Sequence, residues 1–400
     1  MLDWFFSKLG KLFTIGLCGI PQIGCANTAE FVEPPEHINL SVPENYTIQT
    51  FAKLPTVKNS FISGPRMMAE DANGNLYVTT GRLNKVFKIK DTNHDGFADS
   101  IEIFKDGLNV PNGIAIHEDY IFIANQDNVL KINLNEPEVE GVIIDNLPTG
   151  HHTTKTLKVG PDEKLYLNVG SSCNVCNEED PLRATILRYD LKGKPEGAVK
   201  TFGRHKPNPI YATGLRNTQG FAWHPITLEM YGTNNGSDSR AKSKGGKIDD
   251  SIPPEHLNRI KANKNYGWPH CWGNNQEDPN FPGSENFCKN MHPPSLLLPS
   301  HSTPIGISFL EKTKFEDKFK KNALIALHGS WNKKEHSGYK VILVEFNEEN
   351  KPTGYYDFVT GWLKNGASWG RPVDIIQSND GGVFISDDRS GYIYKVIYQK

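Results

Sequence analysis

The chain contains 400 residues, of which 37% are hydrophobic, so it can bury a large core as one all-β domain or as two ordinary domains. The formal net charge of −2 and the absence of basic runs exclude the electrostatic footprint of a nucleic-acid-binding protein and favour small or neutral ligands. The 36 glycines and 26 prolines favour many short strands joined by tight turns, with little helix.

The first 29 residues have the layout of a secretory signal, with an apolar stretch at residues 12–20 followed by small residues. This stretch is too short and too interrupted to span a membrane as a helix, and no other segment could do so. Cys25 is a possible lipoprotein site, but Gln22 stands where an aliphatic residue is usual, so simple export is favoured. We predict a signal peptide at 1–29, a mature domain at 37–400, and a periplasmic or secreted protein.

Four cysteines remain when Cys18 and Cys25 are set aside, an even number for an oxidising compartment. They are Cys173, Cys176, Cys271 and Cys288. Pairing each with its near neighbour predicts two local disulfides. Asn177 rather than a histidine follows the first pair, so this is not a haem-attachment motif, and there is no second close pair for a four-cysteine zinc site.

Six copies of one unit follow along the chain, each made of a glycine or proline, an apolar strand, a turn, and further strands ending in a basic-aliphatic pair. The clearest copy lies in residues 150–170, where the turn Gly160–Asp162 leads into a strand of alternating apolar residues. The other copies begin near Gly64, Asn112, Gly214, Ile305 and Arg371. Units repeating at roughly 40 to 60 residues predict an all-β, six-bladed β-propeller.

Two further features belong to this prediction. The strand-like segment 46–51 lies before the first copy and is expected to complete the last blade, which closes the ring and removes its exposed edges. The fourth copy carries a long insertion before Leu257, and insertions of this kind are usually functional.

The candidate site lies where the loops that enter the innermost strands meet, around one mouth of the propeller. Such positions are occupied by His152, Arg216, Asn217 and Arg371, and residues 234–238 add amides and exposed carbonyls. One base, two cations and several amides suit an anionic, carbonyl-rich ligand, with His152 as the candidate base. The alternative is a scaffold in which these side chains only cap turns.

Several motifs together resemble the soluble sugar dehydrogenases that use pyrroloquinoline quinone (PQQ), especially the L-sorbosone and aldose sugar dehydrogenase branch. The resemblance covers residues 40–398. The motifs are His152–Lys155 before Val159–Asp162, Gly214–Gly220, Thr233–Gly236, Asn265–Pro269, His328–Asn332 and Trp369–Asp374. The resemblance implies a PQQ- and Ca²⁺-dependent oxidation of an aldose or sugar aldehyde.

The same resemblance implies a role for individual residues. It makes His152 the general base that removes the hydroxyl proton while hydride passes to the quinone, and it turns His151 toward the substrate. The cofactor contacts would be Arg216, Asn217, Asn235 and Arg371, and the backbone carbonyls of Gly236 and Ser237 would bind Ca²⁺. Trp369 stands where the family has a second arginine. Electrons would leave to an external quinone or cytochrome.

A second Ca²⁺ site is predicted at Asp91, Asn93 and Asp95, where the sequence through Glu102 has the spacing of a calcium loop. A polar turn without metal is the alternative, because the context is strand-loop-strand rather than helix-loop-helix.

Two other functions are compatible with a propeller. One is a non-redox propeller that binds a carbohydrate or a protein, and the other is a metal-dependent lactone hydrolase on the same fold. A hydrolase would need inward-facing carboxylates as metal ligands, whereas the mouth motifs offer amides, arginines and a histidine.

Overall fold

The computed structural model describes residues 30–36, 38–58, 60–138, 140–199 and 208–399. The predicted signal peptide, with Cys18 and Cys25, lies outside these ranges. In chain order, two strands, β1 (Glu30–Phe31) and β2 (Tyr46–Lys53), precede the first blade.

Six four-stranded antiparallel sheets form the blades of a propeller, as predicted. Blade 1 contains β3 (Pro65–Glu70), β4 (Leu76–Thr80), β5 (Lys85–Lys90) and β6 (Ser100–Lys105). Blade 2 contains β7 (Gly113–His117), β8 (Tyr120–Ala124), β9 (Val129–Asn133) and β10 (Glu140–Ile144). Blade 3 contains β11 (Leu157–Val159), β12 (Leu165–Val169), β13 (Thr185–Tyr189) and β14 (Ile210–Thr213).

The last three blades carry the longer insertions. Blade 4 contains β15 (Thr218–Trp223), β16 (Met230–Asn234) and β17 (Glu255–Ile260). A hairpin of β18 (Cys271–Trp272) and β19 (Gln276–Glu277) and the helix α1 (Glu285–Lys289) follow, and β20 (Leu296–Leu298) is the fourth strand of the blade. Blade 5 contains β21 (Pro304–Phe309), a 3₁₀ turn (Asp317–Phe319), β22 (Ala323–Leu327), β23 (Lys340–Phe346) and β24 (Pro352–Val359). After β25 (Leu363–Lys364) and β26 (Ala367–Ser368), blade 6 contains β27 (Pro372–Gln377), β28 (Val383–Asp387) and β29 (Tyr392–Tyr398).

The ring closes through β2, which pairs antiparallel with β29 as the fourth strand of blade 6, so that Tyr46 lies opposite Tyr398. The closing strand predicted at 46–51 is therefore confirmed. Upstream of it, β1 pairs in parallel with β26.

The core is divided among the gaps between blades. In the described part of the chain, six hydrophobic clusters fill the six contacts between neighbouring blades. The second strands β4, β12, β16, β22 and β28 are buried along their whole length, because each is covered by blades on both faces. The outer strand β6, by contrast, is largely exposed. Packing between blades, rather than a single central core, therefore holds the ring together.

Both predicted disulfides are present, Cys173–Cys176 and Cys271–Cys288. The described residues contain one short α-helix, in agreement with the low helix content expected from the composition.

Candidate functional site

A cavity of about 330 Å³ opens at the mouth of the propeller, where loops of five blades meet. Its volume is in the range of small-molecule sites. The structure brings six of the predicted site residues to its wall: His152, Arg216, Asn217, Asn235, Gly236 and Arg371.

His152 lies in the loop that leads into β11 and has a left-handed backbone, with a φ of 42°. Its Nδ1 is 2.8 Å from the Ser171 hydroxyl, and no described residue bonds to its Nε2. Burial, assisted by the positive charge of Arg216, lowers the pKa of His152 to about 2. The imidazole is therefore neutral at physiological pH, which is the form that can accept a proton.

His151 lies beside it but does not line the cavity. Its ring is exposed and packs edge-on against the ring of His152, with centroids 4.2 Å apart. The part of the ring that is covered by its neighbours, more than the positive charge of Arg216, lowers the pKa of His151.

Arg216, which precedes β15, is almost fully buried and uses its guanidinium on neighbouring backbone and side chains. Its Nε donates to the carbonyl of Asn174 at 3.0 Å, and its Nη1 donates to the carbonyls of Asn235 and Gly236. Its Nη2 lies 3.2 Å from a carboxylate oxygen of Asp238. The arginine is thus fixed against the segment that the sequence assigned to ligand binding.

Two amides on the same wall have unused acceptors. The Oδ1 atoms of Asn217 and Asn235 are buried and have no hydrogen-bond partner among the described residues. Leaving such atoms unpaired costs about 1–3 kcal/mol each, so they indicate a site for a donor group or a cation.

The opposite wall holds an arginine that the sequence did not reveal. Arg66 and Arg371 share the buried carboxylate of Asp388, at 2.8 and 2.9 Å, and His328 lies 3.1 Å from the same group. Burial alone would raise the pKa of Asp388, but Arg371 and His328, followed by Arg66, bring it below the usual range. Two guanidinium groups therefore converge on one carboxylate on this wall.

Trp369, which stands where the resemblance predicted a second arginine, takes no part in the cavity. Its indole N–H donates to the Gly361 carbonyl at 2.8 Å, and the ring packs against Trp362 in the core between blades 5 and 6. Arg66, on the innermost strand of blade 1, supplies the second cation instead.

The cavity also contains a carboxyl group that the sequence analysis missed. Glu255, at the start of β17, is buried, and its Oε2 accepts a hydrogen bond from the Gly236 N–H. Burial raises the pKa of Glu255 to about 7.

The sequence carried a signal for Asp388 and His328. Both directly follow the second strand of a blade, as Asn235 does, and the ends of these strands reach the same mouth of the propeller.

Two predicted metal positions lie apart from the main cavity. Ser237 lines a smaller cavity next to it, together with Gly236. The loop from Asp91 to Asp95 joins the outer strands β5 and β6, and the Gly96 N–H donates to Asp91 there at 3.0 Å. Glu102, the last residue of the predicted calcium loop, is paired with Lys90 at 2.8 Å.

Two exposed aromatic side chains border the cavity. Phe61 is 69% exposed and Trp331 is 43% exposed. Aromatic faces left in water beside a polar cavity are typical of binding sites.

Within the described ranges, no helix is long and apolar enough to cross a membrane.

Similar proteins were found by sequence. A model of the TrAA12-like family matches residues 42–399. An uncharacterized protein of Borreliella burgdorferi is 29% identical over 380 residues, covering 90% of this chain and 91% of that protein. A pyrroloquinoline quinone-dependent pyranose dehydrogenase of Coprinopsis cinerea is 24% identical over 385 residues, covering 82% of this chain and 52% of that protein. The chain thus spans about half the length of the fungal relative.

Solved structures agree on the fold. The holo form of the pyranose dehydrogenase PQQ domain from Coprinopsis cinerea has a TM-score of 0.75 at 21% identity and covers 91% of this chain and 98% of its own. A calcium structure of a Trichoderma reesei AA12 protein also has a TM-score of 0.75, at 18% identity, covering 93% of this chain and 99% of its own. With its family match extending over nearly all of the propeller, this chain belongs to the TrAA12-like family.

Proposed function

We propose that this protein is a PQQ- and Ca²⁺-dependent dehydrogenase that oxidises an aldose or sugar aldehyde, with His152 as the general base. The observation that carries the proposal is a neutral histidine in the same cavity as three arginines and two amide oxygens without a partner among the described residues. The C. cinerea relative, a PQQ-dependent pyranose dehydrogenase by name, supports it. The L-sorbosone branch remains a prediction from the sequence motifs.

The donor set fits PQQ. Its carboxylates need cationic partners, and one wall carries the guanidinium groups of Arg66 and Arg371. Its quinone oxygens need donors, which the side-chain amide of Asn217 can offer from the other wall, where Arg216 adds a positive charge. When bound, PQQ would supply the acceptor of one hydride, which carries both electrons, from the sugar carbon.

The oxygens for Ca²⁺ would come from the segment beside Arg216. The carbonyl of Gly236 and the carboxylate of Glu255 line the main cavity, and the Oδ1 of Asn235 has no partner among the described residues. The carbonyl of Ser237 would have to reach the ion from the smaller cavity. Such hard oxygen donors suit Ca²⁺. For the loop at Asp91, Asn93 and Asp95, Ca²⁺ binding stays a prediction.

His152 would accept the hydroxyl proton of the sugar at Nε2, the ring nitrogen without a protein partner in the described chain. Phe61 and Trp331 offer apolar faces on which a sugar ring can pack, and His151 lies beside the base on the solvent side. The two disulfides are typical of exported proteins, so we propose a periplasmic or secreted enzyme that passes electrons to an external quinone or cytochrome.

A metal-dependent lactone hydrolase would need free carboxylates at the mouth. Asp388 is paired with Arg66 and Arg371, and Asp238 is paired with Arg216, which leaves Glu255 as the one carboxylate of this cavity without a cationic partner in the described residues. A single carboxylate favours the dehydrogenase over the hydrolase.

The proposal is tested by reconstituting the purified protein with PQQ and Ca²⁺ and measuring dye reduction with a panel of aldoses and sugar aldehydes. General-base catalysis is typically worth about 10²- to 10⁴-fold, so His152→Ala should lower kcat by about that much while PQQ remains bound. His151→Ala should act mainly on KM. Turnover that survives in His152→Ala but is lost in His151→Ala would show that His151, not His152, is the base. If the PQQ-loaded wild type oxidises no sugar of the panel, the proposal is refuted.

Cofactor affinity gives a second, independent measurement. Arg371→Ala should weaken PQQ binding by more than it lowers activity at saturating cofactor, because it removes a cation from the wall that would face the carboxylates. Equilibrium dialysis of PQQ measures this, with the exposed Arg82→Ala as the control for general loss of positive charge. Equal PQQ affinity in both variants would show that Arg371 does not contact the cofactor.

A further inference from the structure

A small covalent ring lies directly behind the candidate base. It is closed by the Cys173–Cys176 disulfide in the loop that follows β12. Its backbone carbonyls contact Ser171, which lies beside His152, and Arg216. We propose that this ring, acting through Ser171 and Asn174, sets the proton position on His152 and the orientation of Arg216. Ser171 and Asn174 are thus positioning residues, and the inference rests on the role proposed for His152.

The two contacts of the Ser171 hydroxyl favour one tautomer of His152. Ser171 is fully buried, and its hydroxyl donates its single proton to the Cys173 carbonyl at 2.7 Å. The same oxygen is 2.8 Å from His152 Nδ1, and it has no second proton to give. Both contacts of the Ser171 oxygen are made at once only when Nδ1 is the donor, which puts the ring proton on Nδ1 and leaves a lone pair on Nε2.

The tautomer decides whether the histidine can act as a base. With the proton on Nδ1, Nε2 can accept a proton from a substrate hydroxyl. The opposite tautomer would present an N–H to the cavity and could only donate. The Cys173 carbonyl in the disulfide ring is thus connected to the His152 imidazole through two hydrogen bonds, with the Ser171 hydroxyl between them.

The next carbonyl of the ring holds the arginine. The Asn174 carbonyl accepts from Arg216 Nε at 3.0 Å, and the Asn174 Oδ1 accepts from Nη2 at 2.9 Å. The same Oδ1 accepts from the Asp238 N–H at 2.8 Å, and the Asn174 amide donates back to the Asp238 carbonyl at 2.9 Å. One asparagine therefore ties Arg216 to the segment that carries Asn235 and Gly236.

The ring is also anchored on its outer side. The backbone N–H and the hydroxyl of Ser172 donate to the two carboxylate oxygens of Glu178, at 2.7 and 2.6 Å. The disulfide and this bidentate contact together restrict the backbone that presents the two carbonyls. Opening the Cys173–Cys176 disulfide should loosen the contacts of the two carbonyls with Ser171 and Arg216 together. Opening the Cys271–Cys288 disulfide in the blade 4 insertion should loosen neither.

The direct test is the tautomer of His152 in the cofactor-free protein, measured by ¹H–¹⁵N correlation NMR of the imidazole nitrogens. The wild type should show a single Nδ1–H form. Ser171→Ala should shift the population toward Nε2–H, and Ser171→Thr, which keeps the hydroxyl, should restore the wild-type signal. Cys173→Ser with Cys176→Ser should shift it in the same direction as Ser171→Ala, whereas Cys271→Ser with Cys288→Ser should not.

Kinetics of the PQQ-loaded enzyme provide the functional arm. Ser171→Ala should lower kcat by roughly 10-fold, less than removal of the base itself, with little change in KM and with rescue by Ser171→Thr. A melting temperature for each variant separates this effect from loss of fold.

The possible results are distinct. A wild-type Nε2–H tautomer, or a tautomer unchanged in Ser171→Ala, overturns the inference even if the enzyme oxidises sugars. Conversely, the expected shift in a protein that oxidises no sugar upholds the positioning of His152 and refutes the proposed function.

Discussion

At the scale of single residues, the proposed base His152 and Gly170 lie against each other with no space for a further atom. A Cβ atom built on Gly170 would lie 2.5 Å from the Cβ of His152 and 3.0 Å from the Oδ1 of Asn217. Contacts this short require one of the neighbours to move. The glycine is therefore a condition for the strained backbone position of His152, whose φ is 42°.

Gly170→Ala should accordingly displace His152 and lower kcat by roughly 10-fold or more, within the range attributed to a general base. The backbone of Gly170 does not need the left-handed region, so the variant should still fold. Steady-state kinetics and a melting curve measure the two effects. Gly141→Ala, where an added Cβ would meet nothing within 4 Å, is the matched control, and equal kcat in both variants would contradict the prediction.

The sequence predicted which residues lie near the innermost strands. It did not predict which of them contact each other between blades. His152, Arg216, Asn217 and Arg371 could be predicted because they directly precede innermost strands. Asp388 could not be connected with Arg66, because 322 residues separate the two and only closure of the ring brings them together.

At the scale of elements, hydroxyl groups on second strands connect neighbouring blades. Three of these side chains donate to a carbonyl at the inner edge of the next blade: Thr79 to Asn112 at 2.7 Å, Thr233 to Ile305 at 2.6 Å, and Ser386 to Arg66 at 2.7 Å. Each lies at the fourth position of its strand, β4, β16 and β28. The apolar alternation that predicts a strand does not reveal this contact, because it marks these positions only as buried.

Thr233→Val keeps the shape of the side chain but leaves the buried Ile305 carbonyl without this donor. The free energy of unfolding should fall by about 1–3 kcal/mol, the usual cost of a buried polar group without its partner. Urea denaturation measures the change, and Thr353→Val on the exposed side of β24 serves as the control. A loss no larger than in the control would show that the hydroxyl bridge does not stabilise the contact between blades 4 and 5.

At the scale of the whole molecule, the two ends of the domain meet in one blade, because β2 from its start pairs with β29 from its end as the outermost strand of blade 6. Several titratable groups are buried within the blades. Burial lowers the pKa of both His256 and His328 to about 4, from an ordinary value of 6.5. These histidines are neutral in the folded protein at neutral pH.

The stability of the protein should therefore decline as the pH falls from 6.5 towards 4. In that window the unfolded chain binds protons at these histidines and the folded chain does not, so each group costs up to about 1.4 kcal/mol per pH unit. Below pH 4 the folded histidines also bind protons and their contribution levels off. Urea midpoints at pH 7.5 and pH 5 should differ, and the difference should be smaller in His256→Gln; an identical pH dependence in that variant would exclude His256 as a cause.

The sequence by itself determined the all-β class, the six repeats, the closing strand, both disulfides and the residues that enter the mouth. These depend on local patterns: turn residues, alternation of apolar side chains, and spacing between cysteines. The tertiary structure decided which groups meet. It brought Arg66 and Glu255 into the cavity, left Trp369 outside it, and placed Ser171 against His152. Contacts between blades join residues far apart in the chain, and periodicity along one strand carries no information about the partner across the ring.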